Sequence, residues 1–122
     1  GGKWPADWVP AYVRALADPA LRADAVAQFE AQDDGTRQHF GHYFIELALL
    51  QEHERSLKAI QHHAGLPPAA WLQWLWLPEL APVRAQPGFV AAAQQIGFTA
   101  LWDIRGAPDS CARSATGLWA CR

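Results

Sequence analysis

The stretch from Pro67 to Trp102, PPAAWLQWLWLPELAPVRAQPGFVAAAQQIGFTALW, holds four of the seven tryptophans and five of the nine prolines of the chain. Three tryptophans lie close together, and three later prolines divide the remainder of the stretch into short pieces: Trp71, Trp74, Trp76, Pro78, Pro82 and Pro87. A packed tryptophan buries on the order of 200 Å², so these indoles must form either core or contact surface. We predict that Trp71 and Trp74 form a cap that covers the preceding helices. Trp76 is a candidate for ligand contact.

Length and composition predict one globular domain over residues 1–122. Half of the residues are apolar and 18% are charged, which is typical of a chain with a core and excludes a disordered one. The formal net charge of -2 gives no electrostatic reason to expect nucleic-acid contact. No apolar stretch reaches the length of a membrane span. We therefore expect no direct nucleic-acid contact, and membrane contact only through a parent chain.

Upstream of the cap, residues 4–35 are predicted to form a degenerate pair of helices. The first, 7–17, has apolar side chains on one face, which we expect to be buried: Val9, Tyr12, Val13 and Leu16. Asp18 is the expected N-cap of the second helix, and Pro19 occupies its first turn, where no N–H is missed. The buried side chains expected in this second helix are Leu21, Ala25, Val26 and Phe29.

Residues 36–66 are predicted to form a second helix pair, with helices at 36–51 and 53–64 and Gly65 as the final C-cap. The first of these helices carries an apolar face at helical spacing: Phe40, Tyr43, Phe44, Leu47 and Leu50. A second apolar row on its opposite side predicts packing on both faces: Ile45 and Leu49. The second helix is expected to turn four side chains inward: Ser56, Leu57, Ile60 and Ala64.

Two helix pairs in tandem suggest a repeat. Matching positions recur at the spacing of one known repeat, and they are Phe40, Tyr43, Leu47, Ser56, Ile60 and Pro68. On these residues, 37–70 resembles one unit of the tetratricopeptide repeat, whose period is about 34 residues, and 4–35 resembles a more degraded unit. Phe44 and His63 depart from the pattern, which has a small residue and an alanine there. The resemblance implies an all-α, tetratricopeptide-like α-solenoid of tandem helical hairpins.

The tail, residues 78–122, contains a Pro-x-x-x-x-Val-Arg-x-x-Pro-x-Phe run followed by Gly, Trp and Pro-Asp-x-Cys. The residues of this pattern are Pro78, Val83, Arg84, Pro87, Phe89, Gly97, Trp102, Pro108, Asp109 and Cys111. It resembles the C-terminal ending of bacterial tetratricopeptide proteins of the CadC-like transcriptional regulator type, although Gln86 replaces the usual aspartate. The resemblance implies an extracytoplasmic helical-repeat domain, joined through one membrane span to a cytoplasmic DNA-binding domain. Related tails also accompany other effector domains.

Cys111 and Cys121 lie ten residues apart within the segment 106–122. Their spacing and terminal position favour a disulfide that closes a small loop, with two free thiols of a cytosolic protein as the alternative. A disulfide implies an oxidising compartment. We therefore expect an extracytoplasmic (periplasmic) domain of a membrane protein, or a cytoplasmic one if the thiols are free. Gly1-Gly2 and the absence of Met indicate a domain taken from a longer protein.

His39, His42 and Glu46 share one edge of the third predicted helix, because i, i+3 and i+4 positions lie on one face. Imidazoles and a carboxylate converging on one point could bind a metal. The alternative is a polar edge that faces the groove of the repeat. No further ligand is evident, so we predict neither metal nor cofactor and keep the edge as a candidate binding surface. The five histidines also leave a pH sensor open.

No catalytic set is visible: the chain lacks a Gly-rich phosphate loop, a nucleophile elbow and a Cys–His pair at recognisable spacing. Arg84 is predicted to clamp onto helix-end carbonyls or onto a carboxylate such as Glu79 or Asp103. The leading hypothesis is therefore a module without enzymatic activity. A fragment of a hydrolase, with its other catalytic residues outside this chain, is a third and weaker hypothesis.

We predict a protein-interaction or signal-sensing module of a bacterial regulatory protein. It would bind a protein or peptide in the groove lined by the first helix of each pair, with capping helices at 67–105. The alternative is a small-molecule or metal sensor that uses the His39–His42–Glu46 edge or a pocket beside Trp76. A homodimer is a further partner to be tested.

Overall fold

The structure, a computed structural model, describes residues 9–31, 43–64 and 70–122, and this part of the chain is mostly helical. Its α-helices are α1 (Val9–Ala17), α2 (Arg22–Ala31), α3 (Tyr43–Leu49), α4 (His53–Ala64), α5 (Ala81–Arg84), α6 (Pro87–Ile96) and α7 (Phe98–Arg105). Three 3₁₀ helices accompany them: Pro19–Leu21, Ala70–Trp76 and Pro78–Leu80. Two short strands lie at the C-terminal end: β1 (Cys111–Arg113) and β2 (Trp119–Cys121). The predicted helical class is confirmed, with a small hairpin added to it.

The junction between α1 and α2 forms as the sequence predicts. The side chain of Asp18 accepts a hydrogen bond of 3.0 Å from the backbone N–H of Ala20. Pro19 opens the 3₁₀ helix Pro19–Leu21, where its missing N–H is not needed. The chain then continues directly into α2, so the two helices form one hairpin.

The inward face of α1 differs from the prediction. Ala11, Tyr12 and Ala15 are buried, whereas the larger side chains of Val9, Val13 and Leu16 are exposed. Small side chains at the contact let α2 approach closely, and the long side chain of Tyr12 reaches across to α3. Of the face predicted for the second helix, α2 buries Ala25, Val26 and Phe29, but Leu21 in the preceding turn is exposed.

The described part of the second pair packs tightly. Phe44, Leu47 and Leu50 are buried as predicted, and the hydroxyl of buried Ser56 donates a hydrogen bond of 2.7 Å to the carbonyl of Phe44. This contact is possible because serine is small enough to bring the backbone of α4 close to α3. Leu57, Ile60 and Ala64 are also buried, as predicted. Thr36, Phe40, Gly65 and the side chain of Tyr43 lie outside the described part of the chain.

Packing on both faces of α3 is only partly found. Ile45 packs against the core, but Leu49 is exposed. The helix also ends earlier than the predicted residue 51, because Gln51 adopts a left-handed conformation with φ of 61°. The N–H of Glu52 then donates to the carbonyl of Leu47 at 2.9 Å, which closes the helix end. The turn into α4 is therefore only three residues long.

Residues 70–105 form a capping region whose local structure differs in detail from the prediction. The sequence pattern predicts a helix after Pro68 that runs to about Leu77, and its described part, Ala70–Trp76, is a 3₁₀ helix. The pattern also predicts a helix from Phe89 to Ile96, and α6 begins two residues earlier, at Pro87. A short turn at 99–105 is predicted next, and the structure has the helix α7 there. Gly97, with φ of 107°, is the predicted C-cap of α6. Prolines begin several of these pieces because they fit the first helical turn and cannot extend a preceding helix.

Close packing of α6 on α4 connects the capping region to the second helix pair. Gly88 lies at this contact: a Cβ atom there would be 2.8 Å from Nε2 of Gln61 and 3.1 Å from Cδ2 of Leu57. Just before α6, the side-chain amide of Gln86 donates a hydrogen bond of 2.8 Å to the carbonyl of His53. Glycine at position 88 thus permits the close approach, and Gln86 holds its N-terminal end.

The C-terminal hairpin, residues 111–121, consists of antiparallel β1 and β2 with Cys111 opposite Cys121. The predicted disulfide joins these two cysteines. Gly117, with φ of 82°, and a 2.7 Å hydrogen bond from the N–H of Ser114 to the carbonyl of Leu118 form the turn. β2 packs against α6, so the hairpin lies on the capping region.

Candidate functional site

The predicted His39–His42–Glu46 edge is described only at Glu46, because His39 and His42 lie outside the described residues. The backbone carbonyl of Glu46 accepts a hydrogen bond of 3.0 Å from the hydroxyl of Tyr12. Burial, and secondly the negative charge of Glu46, raise the pKa of Tyr12 above its ordinary value. Glu46 therefore takes part in the contact between α1 and α3, and its role in ligand binding stays a prediction.

Metal ligation has no support in the described ranges 9–31, 43–64 and 70–122. Within them, no group of three or more His, Cys, Asp or Glu side chains is arranged to hold an ion. Both cysteines are joined in the disulfide and are not available as thiolate ligands. The predicted absence of a metal and of a cofactor remains a prediction that a binding measurement has to test.

Trp76, the second candidate for ligand contact, belongs to an aromatic cluster formed with Phe89, Phe98, Trp102 and Trp119. The Trp76 ring centroid lies 5.6 Å from that of Phe98 and 6.0 Å from those of Phe89 and Trp102, in edge-to-face arrangements. Such geometry is favourable for aromatic pairs. Trp74 is also partly buried against the core, while the side chain of Trp71 lies outside the described part. Trp76 thus has a packing role, and its ligand role stays untested.

The aromatic cluster extends into the C-terminal hairpin. Trp102 stacks on Phe98 at 5.9 Å and meets the ring of Trp119, from β2, at 5.1 Å. The guanidinium of Arg113 lies over the Trp119 ring, 4.8 Å from its centroid, and pairs with the carboxylate of Asp103. The indole Nε1 of Trp119 is buried, and it has no hydrogen-bond partner among the described residues. Hairpin and helices therefore meet mainly through aromatic rings.

Arg84 is the buried cation that the sequence predicts as a clamp, and only 4% of it is exposed. Its Nη1 donates to the carbonyls of Leu75 and Leu77, at 2.8 and 2.7 Å, and its Nε donates to the carbonyl of Arg122 at 2.9 Å. The predicted carbonyl clamp is confirmed, whereas Asp103, a predicted alternative partner, pairs with Arg113. Burial lowers the pKa of Arg84 from its ordinary value.

A further candidate surface was not found from the sequence. On α1, the side chains of Val9, Val13 and Leu16 are 36%, 55% and 48% exposed. These residues, the α1 stripe, follow i, i+4, i+7 spacing and so lie along one side of the helix. The sequence does contain an indication that another face of α1 is buried. Ala11 and Ala15 lie on a second face at helical spacing, and small residues favour close helix contact. Leu101, Ile104 and Leu118 form a second exposed apolar set.

Comparison of the chain with protein-family models, curated proteins and solved structures gives no match. In the part of the chain that the structure describes, none of the helices combines the length and the apolar character needed to cross a bilayer. The candidate surfaces therefore have to be interpreted from their own geometry and chemistry.

Proposed function

We propose that this chain is a tetratricopeptide-like interaction or signal-sensing module without enzymatic activity, from a bacterial regulatory protein. Its partner is a protein segment that presents apolar side chains along one face, such as an amphipathic helix. The observation that carries the proposal is the α1 stripe, an apolar row left in solvent on the first helix of the first pair. Grooves that bind amphipathic helices use such rows as anchors.

The contacts between the two helix pairs support a solenoid-like arrangement. Tyr12 of α1 bonds to Glu46 of α3, and Glu30 of α2 forms an ion pair of 2.7 Å with Arg55 of α4. One side-chain contact thus joins the two first helices, and another joins the two second helices, which is the order found in stacked repeats. The Tyr12–Glu46 contact spans 34 residues, and the tetratricopeptide period is about 34 residues.

Ser56 gives a second line of support. The tetratricopeptide pattern has a small residue at this position of the second helix, and here the hydroxyl reaches the α3 backbone at 2.7 Å. A larger side chain would separate the two helices. The close contact therefore fits a repeat in which small and large positions alternate, even though Phe44 on α3 departs from the pattern.

The disulfide and the Cys-bearing tail support an extracytoplasmic setting. Disulfides persist in oxidising compartments such as the bacterial periplasm and are rare in the cytosol. Together with the resemblance of residues 78–122 to CadC-like regulators, this favours a periplasmic domain of a membrane-anchored transcriptional regulator. Signals would then pass through docking of a partner on the helix pairs, since the module carries no recognisable chemistry of its own.

Site-specific photo-crosslinking tests the proposal. A photoreactive amino acid at Val13, in the centre of the α1 stripe, is expected to capture a defined partner in bacterial cells that express the parent protein. The matched control places the same amino acid at Ala23, which is exposed on α2. Leu16→Asp should abolish the crosslink at position 13, because a buried carboxylate without a partner strongly disfavours an apolar contact.

Each outcome of this experiment has a stated meaning. Capture of a second copy of the chain identifies the partner as the chain itself and makes the α1 stripe a homodimer interface. Equal capture at positions 13 and 23, or capture that Leu16→Asp does not alter, would contradict the proposed use of the α1 stripe.

A further inference from the structure

The C-terminal hairpin has little structure of its own to keep it closed. Each strand contains three residues, and an isolated two-stranded hairpin is marginally stable at best in water. Its open end is joined by the disulfide between the directly opposed residues Cys111 and Cys121. The disulfide is thus the covalent element that keeps β1 beside β2.

Contacts from the hairpin to the helices come from residues next to these cysteines. Arg113 pairs with Asp103, and Trp119 packs against Trp102, each from a position two residues from a cysteine. Arg122, directly after Cys121, provides the carbonyl that Nε of Arg84 bonds to. Opening the disulfide frees the two strands to separate, so these three contacts and the packing of β2 against α6 lose their alignment together.

One contact lowers the stability of the docked hairpin. The indole N–H of Trp119 is buried and finds no acceptor within 9–31, 43–64 and 70–122, and an unsatisfied buried donor has lost its hydrogen bond to water. When the hairpin leaves the helices, this N–H regains water as a partner. The docked hairpin therefore depends on the disulfide more than the number of its contacts suggests.

The helices beneath the hairpin have anchors that do not involve it. Arg84 retains the carbonyls of Leu75 and Leu77, and Leu80, Val83 and Phe89 are fully buried in the core. Undocking would leave these contacts in place. It would expose Trp102, which is 5% exposed in the docked structure.

We propose that the Cys111–Cys121 disulfide is a redox latch: its reduction releases the C-terminal hairpin and uncovers Trp102 while the helices stay folded. The inference does not depend on the proposed function. Cys111 is buried and Cys121 is partly exposed, and we place the first attack of a reductant at Cys121. A dithiol protein or reagent supplies the two electrons and the two protons.

The chemistry is thiol–disulfide exchange. A thiolate of the reductant attacks Sγ of Cys121, forms a mixed disulfide there, and Cys111 leaves as a thiolate that takes up a proton. The second thiol of the reductant, as a thiolate, then attacks the reductant's first sulfur atom, which is bonded to Sγ of Cys121 in the mixed disulfide. Cys121 is released as a thiol, and the reductant ends as a disulfide.

Hydrogen exchange of the full chain, measured by mass spectrometry with and without dithiothreitol, tests the latch. Reduction is expected to speed amide exchange about tenfold or more in the hairpin and in α7, with no change in α1 to α4. Far-ultraviolet circular dichroism should keep the helical signal. Cys111→Ser/Cys121→Ser should match the reduced protein and should not respond to dithiothreitol, which controls for effects of the reagent.

Two outcomes would overturn the latch. Unchanged exchange in α7 after complete reduction would mean that the hairpin stays docked without its disulfide. Faster exchange in all helices, with loss of the helical signal, would mean that the disulfide supports the whole fold. Trp119→Ala in the oxidised protein gives an independent measurement, because it should raise exchange in α7 while the disulfide remains intact.

Discussion

Arg84 connects the nearby segment at Leu75 and Leu77 with the distant C-terminal residue Arg122, by donating to the backbone carbonyls of all three. Its planar guanidinium presents several donors in a fixed geometry, which a lysine ammonium on a flexible stem cannot reproduce. The carbonyl of Leu77 also accepts a backbone hydrogen bond from the N–H of Leu80, so Arg84 adds a second donor there and bonds to the carbonyl of Leu75 as well. A single buried side chain thereby orders the link between the 3₁₀ helices and the tail.

Substituting Arg84→Lys should lower the free energy of unfolding by about 2 kcal/mol or more, because hydrogen bonds to charged groups contribute about 1.5–3 kcal/mol and three carbonyls lose the guanidinium as a donor. Urea unfolding followed by circular dichroism measures the change. Arg105→Lys is the matched control, since Arg105 is exposed on α7. Similar stability of the two variants would show that the Arg84 contacts are not needed.

Tyr12 should give the protein a measurable dependence on alkaline pH. Burial and the charge of Glu46 raise the pKa of Tyr12 in the folded state, whereas in the unfolded chain the pKa is about 10. Above about pH 10 the folded state therefore binds more protons than the unfolded state, and the free energy of unfolding falls as pH rises. Below that pH the contribution of Tyr12 is fully present.

Tyr12→Phe should reduce this alkaline loss of stability, because phenylalanine has no proton to release. At neutral pH the same substitution should lower the free energy of unfolding by about 1 kcal/mol, since the carbonyl of Glu46 loses the hydroxyl donor while it keeps the N–H of Leu50. Urea unfolding at a series of pH values measures both effects, and ultraviolet absorbance of the phenolate follows the two tyrosines directly. Normal titration of both tyrosines in the folded protein would contradict the assignment.

At the scale of elements, the sequence predicted where helices lie better than which of their faces are buried. The N-cap at Asp18 and the C-cap at Gly97 each depend on a local property, a side-chain hydrogen bond at Asp18 and a left-handed backbone at Gly97. Both caps could therefore be predicted from the sequence. The face of α1 was not, because Ala11 and Ala15 compete with Val9 and Val13 for the inward position. That choice depends on how closely α2 and α3 approach, which no local pattern reports.

Gly88 should be sensitive to the size of its replacement. Gly88→Val should lower the free energy of unfolding by about 1–3 kcal/mol, since overpacking a close helix contact costs this much. Gly88→Ala should cost less, because Gln61 can move its amide and alanine favours a helix by about 1 kcal/mol. Ala91→Val, at an exposed position on α6, controls for the β-branched side chain. Equal effects of Gly88→Val and Ala91→Val would show that α4 and α6 are not in close contact there.

For the molecule as a whole, two features of the C-terminal half, the disulfide and the Arg84 clamp, could be predicted from the sequence because the residues that indicate them are specific. Two cysteines in one short tail allow one intramolecular pairing, and Arg84 among prolines indicates a clamp. Trp76 was harder to assign, since its contacts with Phe98 and Trp102 depend on how α7 folds back. The spacing of apolar residues within a helix does not show where that helix packs, so the packing of α7 beside Trp76 could not be predicted.

Divalent metals should leave the thermal stability of the protein unchanged. A metal that binds only the folded state raises Tm, and the shift grows with concentration, so differential scanning fluorimetry with zinc, nickel and cobalt tests the sensor alternative. Buffer with a chelator is the control. A rise of Tm with metal that His42→Ala removes would instead favour the sensor alternative and the His39–His42–Glu46 edge.

The position of the disulfide also bears on how the protein is made in a cell. Cys111 and Cys121 come after all of the described helices in the chain and are its only cysteines. The helices are therefore synthesised before either thiol, and this chain has no wrong intramolecular pair to form. When this chain is produced by itself, forming its disulfide therefore requires an oxidase but no disulfide isomerase. Secretion systems that lack isomerase activity should consequently yield the correctly bonded protein.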